Sequence, residues 1–458
     1  MISLSDLEGL TRKLIAKGIS IEEVKDRLID EILIYKDNLS KKSSESLATA
    51  IIDEVKDSNI VPKSKIVRSV IDYAKSGVSM GIMGVGSRGE GDFFVHRKLA
   101  EIAGKPSSSR ALLYPLYHDD AGAIEVKGKV LVSAVDGMHS RLSDFPFLAG
   151  FHVSRATLRD VYVKGAKPIG MFIDLHLADD GDVGKLFDFE AGVSAVSMLT
   201  ETPILTGSTL RVGGDMVIGD RMTGCVGAFG IAEDESMLAA RHKIKPSSAI
   251  LMTEGSGGGT ICTAAIYSGR HDLVLETLNI QFVKACGALL DSGLIKKIYA
   301  MTDVTNGGIR GDAFEISRLS KIALYFDEKE IRGLVNPKVL ELLESKSIDY
   351  LGVSLDSLMI FAPEDYVKEI MEEVRKSGVR ISKIGWVEDG LPKVAMITSE
   401  GEKDLNLKFR ESAYTRIKKV VGEEAPYKLD ELKIKVEENA KKAIEKRDFV
   451  VKYIRSLD

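Results

Sequence analysis

From about residue 111 the apolar pattern alternates between strand and helix, and this alternation limits the possible folds more than any other feature of the chain. Apolar runs at 123–126 and 130–135 flank Lys127-Gly128, the signal of a hairpin. A helix is expected over 151–164, stopped by Gly165 with Pro168 beyond it. A strand at 169–177, a helix at 187–199 and strands at 203–206 and 225–232 follow. Near Lys245 a second unit begins, with a strand at 249–253, a helix at 260–268, a longer helix over 273–292 and a strand at 297–301. Its alternation continues to about residue 397. Two mixed units of similar size predict an α+β chain with two α/β domains, 111–240 and 241–397, rather than one long sheet.

Three further segments flank this pair. Residues 1–76 read as a helical extension. There Ser20-Ile21-Glu22-Glu23 forms a capping box, and Val24, Leu28, Ile32 and Tyr35 repeat at helical spacing behind it. A second stripe runs through Leu47, Ile51, Ile52 and Val55, and a third through Ile66, Val67, Val70 and Ile71. Residues 77–110 hold a glycine-rich loop, a short helix over 93–103 and a Ser-rich linker. Residues 398–458 form a C-terminal extension whose helix, 429–458, carries Leu432, Val436, Ala440, Ala443 and Ile444 on one side. That stripe suits either a docking or dimer contact or a cap on the chain's own domain.

Several function classes are disfavoured. Lys+Arg is 63 and Asp+Glu 68, so the net charge is −5 and lacks the basic excess of nucleic-acid coats and membrane-surface proteins. No apolar stretch is expected to reach the roughly 20 residues of a membrane helix, and the N-terminus has no secretory pattern. Cys225, Cys262 and Cys286 are far apart without a CxxC, which fits a reducing cytoplasm and three buried thiols.

The chemistry concentrates in loops. Asp119 and Asp120 enter the hairpin and Asp136 leaves it, so antiparallel pairing gathers three carboxylates at one end of a ribbon. Close carboxylates repel unless a cation lies between them, and oxygen ligands suit Mg2+. Gly84-Val85-Gly86-Ser87-Arg88-Gly89 matches GxGxxG without a preceding strand, so a dinucleotide site is not expected. The loop serves either as a linker or as a cover whose N–H groups and Arg88 close over phosphates. Residues 254–260, rich in glycine, lie between a strand and a helix, as an anion-binding turn or a plain tight turn would. Asp303-Val304-Thr305-Asn306-Gly307-Gly308 follows another strand at its carboxyl end, where ligands bind in α/β folds. His96, His118, His139 and His152 lie near these motifs.

Together these blocks resemble the AIR synthase-like (PurM-like) superfamily over about residues 110–395, closest to selenophosphate synthetase-related proteins. The resemblance is carried by Asp119-Asp120-Ala121 with Asp136, by Leu158-Arg159-Asp160-Val161 with Gly165-Ala166-Lys167-Pro168, by Leu205-Thr206-Gly207-Ser208-Thr209, and by the Asp303 block. It implies an ATP- and Mg2+-dependent phosphotransferase or synthetase acting on a small molecule, working as a homodimer through its first α/β domain. Carried over, Asp119, Asp120, Asp136, Asp160 and Asp303 are metal ligands, with Asp160 and Asp303 also catalytic. Gly84, Gly86, Arg88, Gly89, Gly207, Ser208, Thr209 and Thr305 bind the nucleotide. Ser208 stands where the family has an acid or amide, and the 77–91 loop lacks the Cys and Lys of selenophosphate synthetase. Those departures keep two alternatives open: a regulatory ATP-binding assembly subunit, and a purine-pathway amidine-forming synthase that would need Arg88 or Arg110 for phosphate.

Overall fold

Lys127 at φ 53° and Gly128 at φ 82° make the two-residue turn that a tight hairpin requires. They fix the register from Gly122 opposite Ser133 to Val126 opposite Lys129. The computed structural model describes residues 5–36, 38–305, 307–411 and 413–456; Asn306 and the ends of the N- and C-terminal extensions lie outside them. The hairpin sits inside a six-stranded sheet ordered Ala111–Leu113, Gly122–Val126, Lys129–Gly137, Met222–Ala232, Lys167–Leu177 and Ile204–Arg211. All neighbours are antiparallel except the last pair. Both hairpin strands are thus flanked on each side, and the sheet ends in the short strand Ala111–Leu113 and in Ile204–Arg211, the latter exposed along nearly its whole length.

Helices Pro146–Tyr162 and Gly184–Thr200 cover one face of this sheet. They approach closely because Gly150 and Gly192 lack side chains: a Cβ at either would meet a backbone carbonyl of the other helix at 2.1 Å. Alternation along the central strand sends Val130 and Val132 into this covered core and leaves Val135 60% exposed on the opposite face. Asp136 continues the core-facing row.

The second domain is a seven-stranded sheet in the order Ala300–Asp303, Leu358–Pro363, Ser248–Thr253, Ile381–Asp389, Ile322–Asp327, Lys393–Thr398 and Gly401–Asp404. Its strand Ser248–Thr253 is buried at every position, as a central strand covered on both faces must be. The expected long helix over 273–292 is instead a 3-10 helix, His271–Thr277, followed by helix Gln281–Asp291. Asn279, whose side chain accepts from the Gln281 N–H, marks the break. By length and apolarity His271–Asp291 does reach membrane-span size, correcting the sequence expectation; in the fold Phe282, Val283, Ala285, Cys286 and Leu289 of this segment are buried.

The N-terminal helices Leu7–Ala16, Ile21–Tyr35 and Lys41–Ser58 share one core that includes Ile218 of the first domain. Ser5–Asp6 pairs with Val217–Ile218, and Lys36 bridges Asp179 and Asp180. At the capping box Ser20 accepts from the Glu23 N–H at 3.2 Å, but the Glu23 carboxylate pairs with Arg27. The third stripe departs from the first two, since Val67, Val70 and Ile71 are exposed on helix Lys65–Ile71. The C-terminal helix Leu429–Arg455 lies along helices Lys65–Ile71 and Glu90–Ala103 of its own chain. Lys433 pairs with Glu90, and Lys446 donates to the Asp72 carbonyl at 2.6 Å. Its stripe is thus a cap on its own fold.

Candidate functional site

A cavity of about 850 Å³ opens between the two α/β domains. Its walls include Gly86 and Arg88, the aspartates 119, 120, 136, 160 and 303, the glycine turn at 258–259, and Thr305. Strand Lys129–Gly137 delivers Asp136 at the end of its core-facing row, paired with Val226. Helix Pro146–Tyr162 crosses that row. Its Thr157 hydroxyl donates to the Val226 carbonyl at 2.8 Å, and one turn on Asp160 hydrogen-bonds Asp136. Strand Ala300–Asp303 presents Asp303 from the other domain.

The five aspartates do not form one metal cage. Among the described residues no three His, Cys, Asp or Glu side chains stand ready to hold a metal ion. The reason is that cations from the chain itself divide them. Lys164, fully buried, reaches Asp119 and lies 3.0 Å from Asp120. Arg241 Nη2 is 2.5 Å from Asp120, and the Arg241 N–H donates to Asp119 at 3.0 Å. Arg159 Nε is 3.1 Å from Asp303. Arg155 lies 2.5 Å from Asp356, which Arg159 also contacts.

Among the described residues Asp136 and Asp160 have no such ion-pair partner. Asp136 Oδ2 is buried and has no hydrogen-bond partner among the described residues. Burial raises the Asp160 pKa well above the ordinary carboxylate value, and the neighbouring Asp136 raises it further. Burial also raises Asp136, against the pull of Arg159 and Arg88. Asp303 is pushed up to about 6 by burial although Arg159 opposes this. Asp120 goes the other way: burial pushes it up, but Arg241 and Lys164 together bring it below its usual range. Two half-buried carboxylates, one with an orphaned oxygen, fit a hard divalent cation that completes its shell with phosphate oxygens and water. The Asp119–Asp120 half, already neutralised, does not fit one.

The glycine loop is engaged differently from expectation. The N–H groups of Gly86 and Arg88 both donate to the Asp92 carboxylate, at 2.9 and 2.8 Å. A Cβ on Gly89 would meet the Phe409 carbonyl at 2.4 Å, because residues 408–411 press on the loop from outside. Gly84 ends the short helix Met80–Met83. These amides are therefore spent on structure. The Arg88 guanidinium makes no ion pair among the described residues and lines the cavity. The second glycine turn is better placed, since Gly258 caps helix Gly259–Tyr267 with no side-chain acceptor and the helix begins on the cavity wall. Gly207, Ser208 and Thr209, expected in a turn at the site, lie in the exposed edge strand paired with 173–175 and away from the cavity.

His139 and His152 line the cavity but are kept neutral by burial, which brings His139 to about 4 and His152 well down. His139 Nε2 is 2.7 Å from the Tyr414 hydroxyl. Burial pushes the Cys262 thiol up to about 11 and Cys286 higher still, while Cys225 is half-buried, which corrects the expectation of three buried thiols. Sequence reasoning missed Lys164, Arg241, Arg155 and Asp356. The one available signal was a pair of arginines at i and i+4, 155 and 159, in an otherwise apolar helix.

Comparison with known proteins agrees with this architecture. Residues 118–232 match the N-terminal domain, and 245–396 the C-terminal domain, of AIR synthase related proteins. An uncharacterised protein of Methanocaldococcus jannaschii is 49% identical over 99% of both chains. A selenide, water dikinase of Myxococcus xanthus is 27% identical over 51% of this chain and 65% of its own length. The crystal structure of the hydrogenase maturation protein HypE in complex with ATP superposes with a TM-score of 0.53 at 20% identity, covering 63% of this chain and 88% of that one.

Proposed function

Given that this chain belongs to the AIR synthase related family, we propose that it is an ATP- and Mg2+-dependent phosphotransferase or synthetase that activates a small molecule in the cavity between its α/β domains. The observation that supports this reading is the half-buried Asp136–Asp160 pair, which has no ion-pair partner among the described residues and lines the same cavity as Arg88. Phosphoryl transfer asks mainly for positioning and charge neutralisation. Asp136 and Asp160 would hold the cation, which supplies neutralisation of the phosphates. Arg88 and the N-terminus of helix Gly259–Tyr267 offer donors to phosphate oxygens. Phe93, Leu99, Pro115, His96 and His118 also line the cavity and offer apolar and neutral polar contacts to the acceptor. Burial lowers both imidazoles there, so they serve as neutral hydrogen-bonding groups rather than as charges.

The test is ADP release with Mg2+ and a panel of small-molecule acceptors. Release that depends on one of them is expected. Tight ATP binding with no turnover on any acceptor would favour the regulatory assembly reading, to which the neutralised Asp119–Asp120 half lends weight. The amidine-forming reading has less support, since Arg110 is exposed and outside the cavity wall.

A homodimer is part of the same proposal. The uncovered sheet face carries Val126, Val135 and Ile169, and the open edge strand carries Leu205 and Leu210, all exposed. Such an edge invites pairing. Light scattering is expected to give twice the 49.9 kDa chain mass at micromolar concentration. A single-chain mass there would contradict the dimer.

A further inference from the structure

We propose that Lys164 and Arg241 take the place of a divalent cation between Asp119 and Asp120, so that this chain handles the phosphates with a single metal seat at Asp136 and Asp160. The inference deepens the ATP reading above and rests on it for the nucleotide. Two monovalent side-chain cations supply the same +2 charge that one divalent ion would. The geometry is complete for that role. Lys164 Nζ contacts Asp119 Oδ1 and donates to the Met301 carbonyl at 3.1 Å. It lies 3.0 Å from Asp120 Oδ2, an ion contact without hydrogen-bond geometry. Arg241 Nη2 serves Asp120 Oδ1 and the Thr302 hydroxyl, at 2.5 and 2.9 Å. The Arg241 N–H takes Asp119 Oδ2. Three of the four carboxylate oxygens thus face a side-chain cation, and the fourth, Asp119 Oδ2, takes a backbone amide; Asp136 and Asp160, by contrast, make no ion pair among the described residues.

Lys164 is 0% exposed. An ammonium so buried is tolerable only when paired, and the two aspartates keep it charged against its burial. It lies two residues beyond the helix that carries Asp160, while Arg241 opens the second domain. The substitute cations therefore also tie the domains together, Lys164 through the Met301 carbonyl and Arg241 through Asp119 and Asp120.

The test counts Mn2+ bound per chain, by the electron paramagnetic resonance of free Mn2+, with a saturating labelled non-hydrolysable ATP analogue and again without nucleotide. One Mn2+ per chain is expected for the wild type with analogue, and Lys164→Met is expected to gain a second, weaker site. Two Mn2+ in the wild type, with the analogue bound, would overturn the inference and leave the ATP reading standing. If the analogue does not bind, the ATP reading falls. The nucleotide-free titration then decides: a Mn2+ site present only in Lys164→Met supports the substitution, and equal counts in both proteins overturn it. Should Lys164→Met not fold, Arg241→Gln is measured the same way, and the wild-type count alone remains decisive.

Discussion

Asp136→Asn is expected to weaken Mg2+-dependent ATP binding by about 1–3 kcal/mol, roughly 5- to 150-fold, while making the metal-free protein more stable at neutral pH. Both effects have one cause. Asp136 and Asp160 are half-buried side by side, and burial raises both pKa values. A carboxyl whose folded pKa is raised contributes stability that is fully present below its unfolded value, near 4, and is lost as pH rises through the folded value. Asp303, pushed up to about 6, and Asp312, pushed up to about 8, both by burial, act in the same direction. The melting temperature of the metal-free protein should therefore fall between about pH 4 and pH 8. The fall should be shallower in Asp136→Asn. Scanning calorimetry across that range, with and without Mg2+ and ATP, reads both effects. Identical pH slopes and identical Mg2+-dependent affinities in the two proteins would contradict the assignment.

The second large effect is expected at Asp356, the partner of two buried arginines. Arg155 and Arg159 come from the helix Pro146–Tyr162 of the first domain, and Asp356 from the loop before strand Leu358–Pro363 of the second. Arg155 also donates to the Asn279 carbonyl at 2.5 Å. Asp356 has φ 61°, a conformation Asn accepts, so Asp356→Asn removes charge without adding backbone strain. Arg155 would then be buried without its counter-ion. Breaking such a pair costs about 3–5 kcal/mol. At roughly 2–4 °C per kcal/mol for domains of this size, the melting temperature should drop by about ten degrees. A change of less than about 1 kcal/mol in chemical denaturation would show that the arginines are solvated and that the domain contact lies elsewhere.

Much of the architecture was legible because it rests on local rules. Alternation marked two α/β units, and Lys127-Gly128 set the hairpin that carries Asp136. The strand expected at 203–206 runs on through Arg211: residues 207–209, placed at the nucleotide only by the family resemblance, pair with Ile173–Leu175 instead. Which carboxylates meet which cations was not legible. Arg155, Arg159 and Lys164 look like helix-surface charges by composition. Their partners lie far along the chain: Asp356 is 201 residues from Arg155, and Asp303 is 144 from Arg159. Only the fold brings them together. The glycine loop held a local clue that was overlooked. Asp92, four and six residues beyond Arg88 and Gly86, takes the amides that would otherwise face a phosphate.

The central claim is that the nucleotide's metal sits between Asp136 and Asp160 in the inter-domain cavity. Its most direct test is the anomalous scattering of Mn2+ in crystals grown with a non-hydrolysable ATP analogue. The account predicts one Mn2+ peak, at about 2.0–2.3 Å from carboxylate oxygens of Asp136 and Asp160 and from analogue phosphate oxygens, with Arg88 on the phosphate side. A peak between Asp119 and Asp120, or an analogue bound outside this cavity, would contradict it.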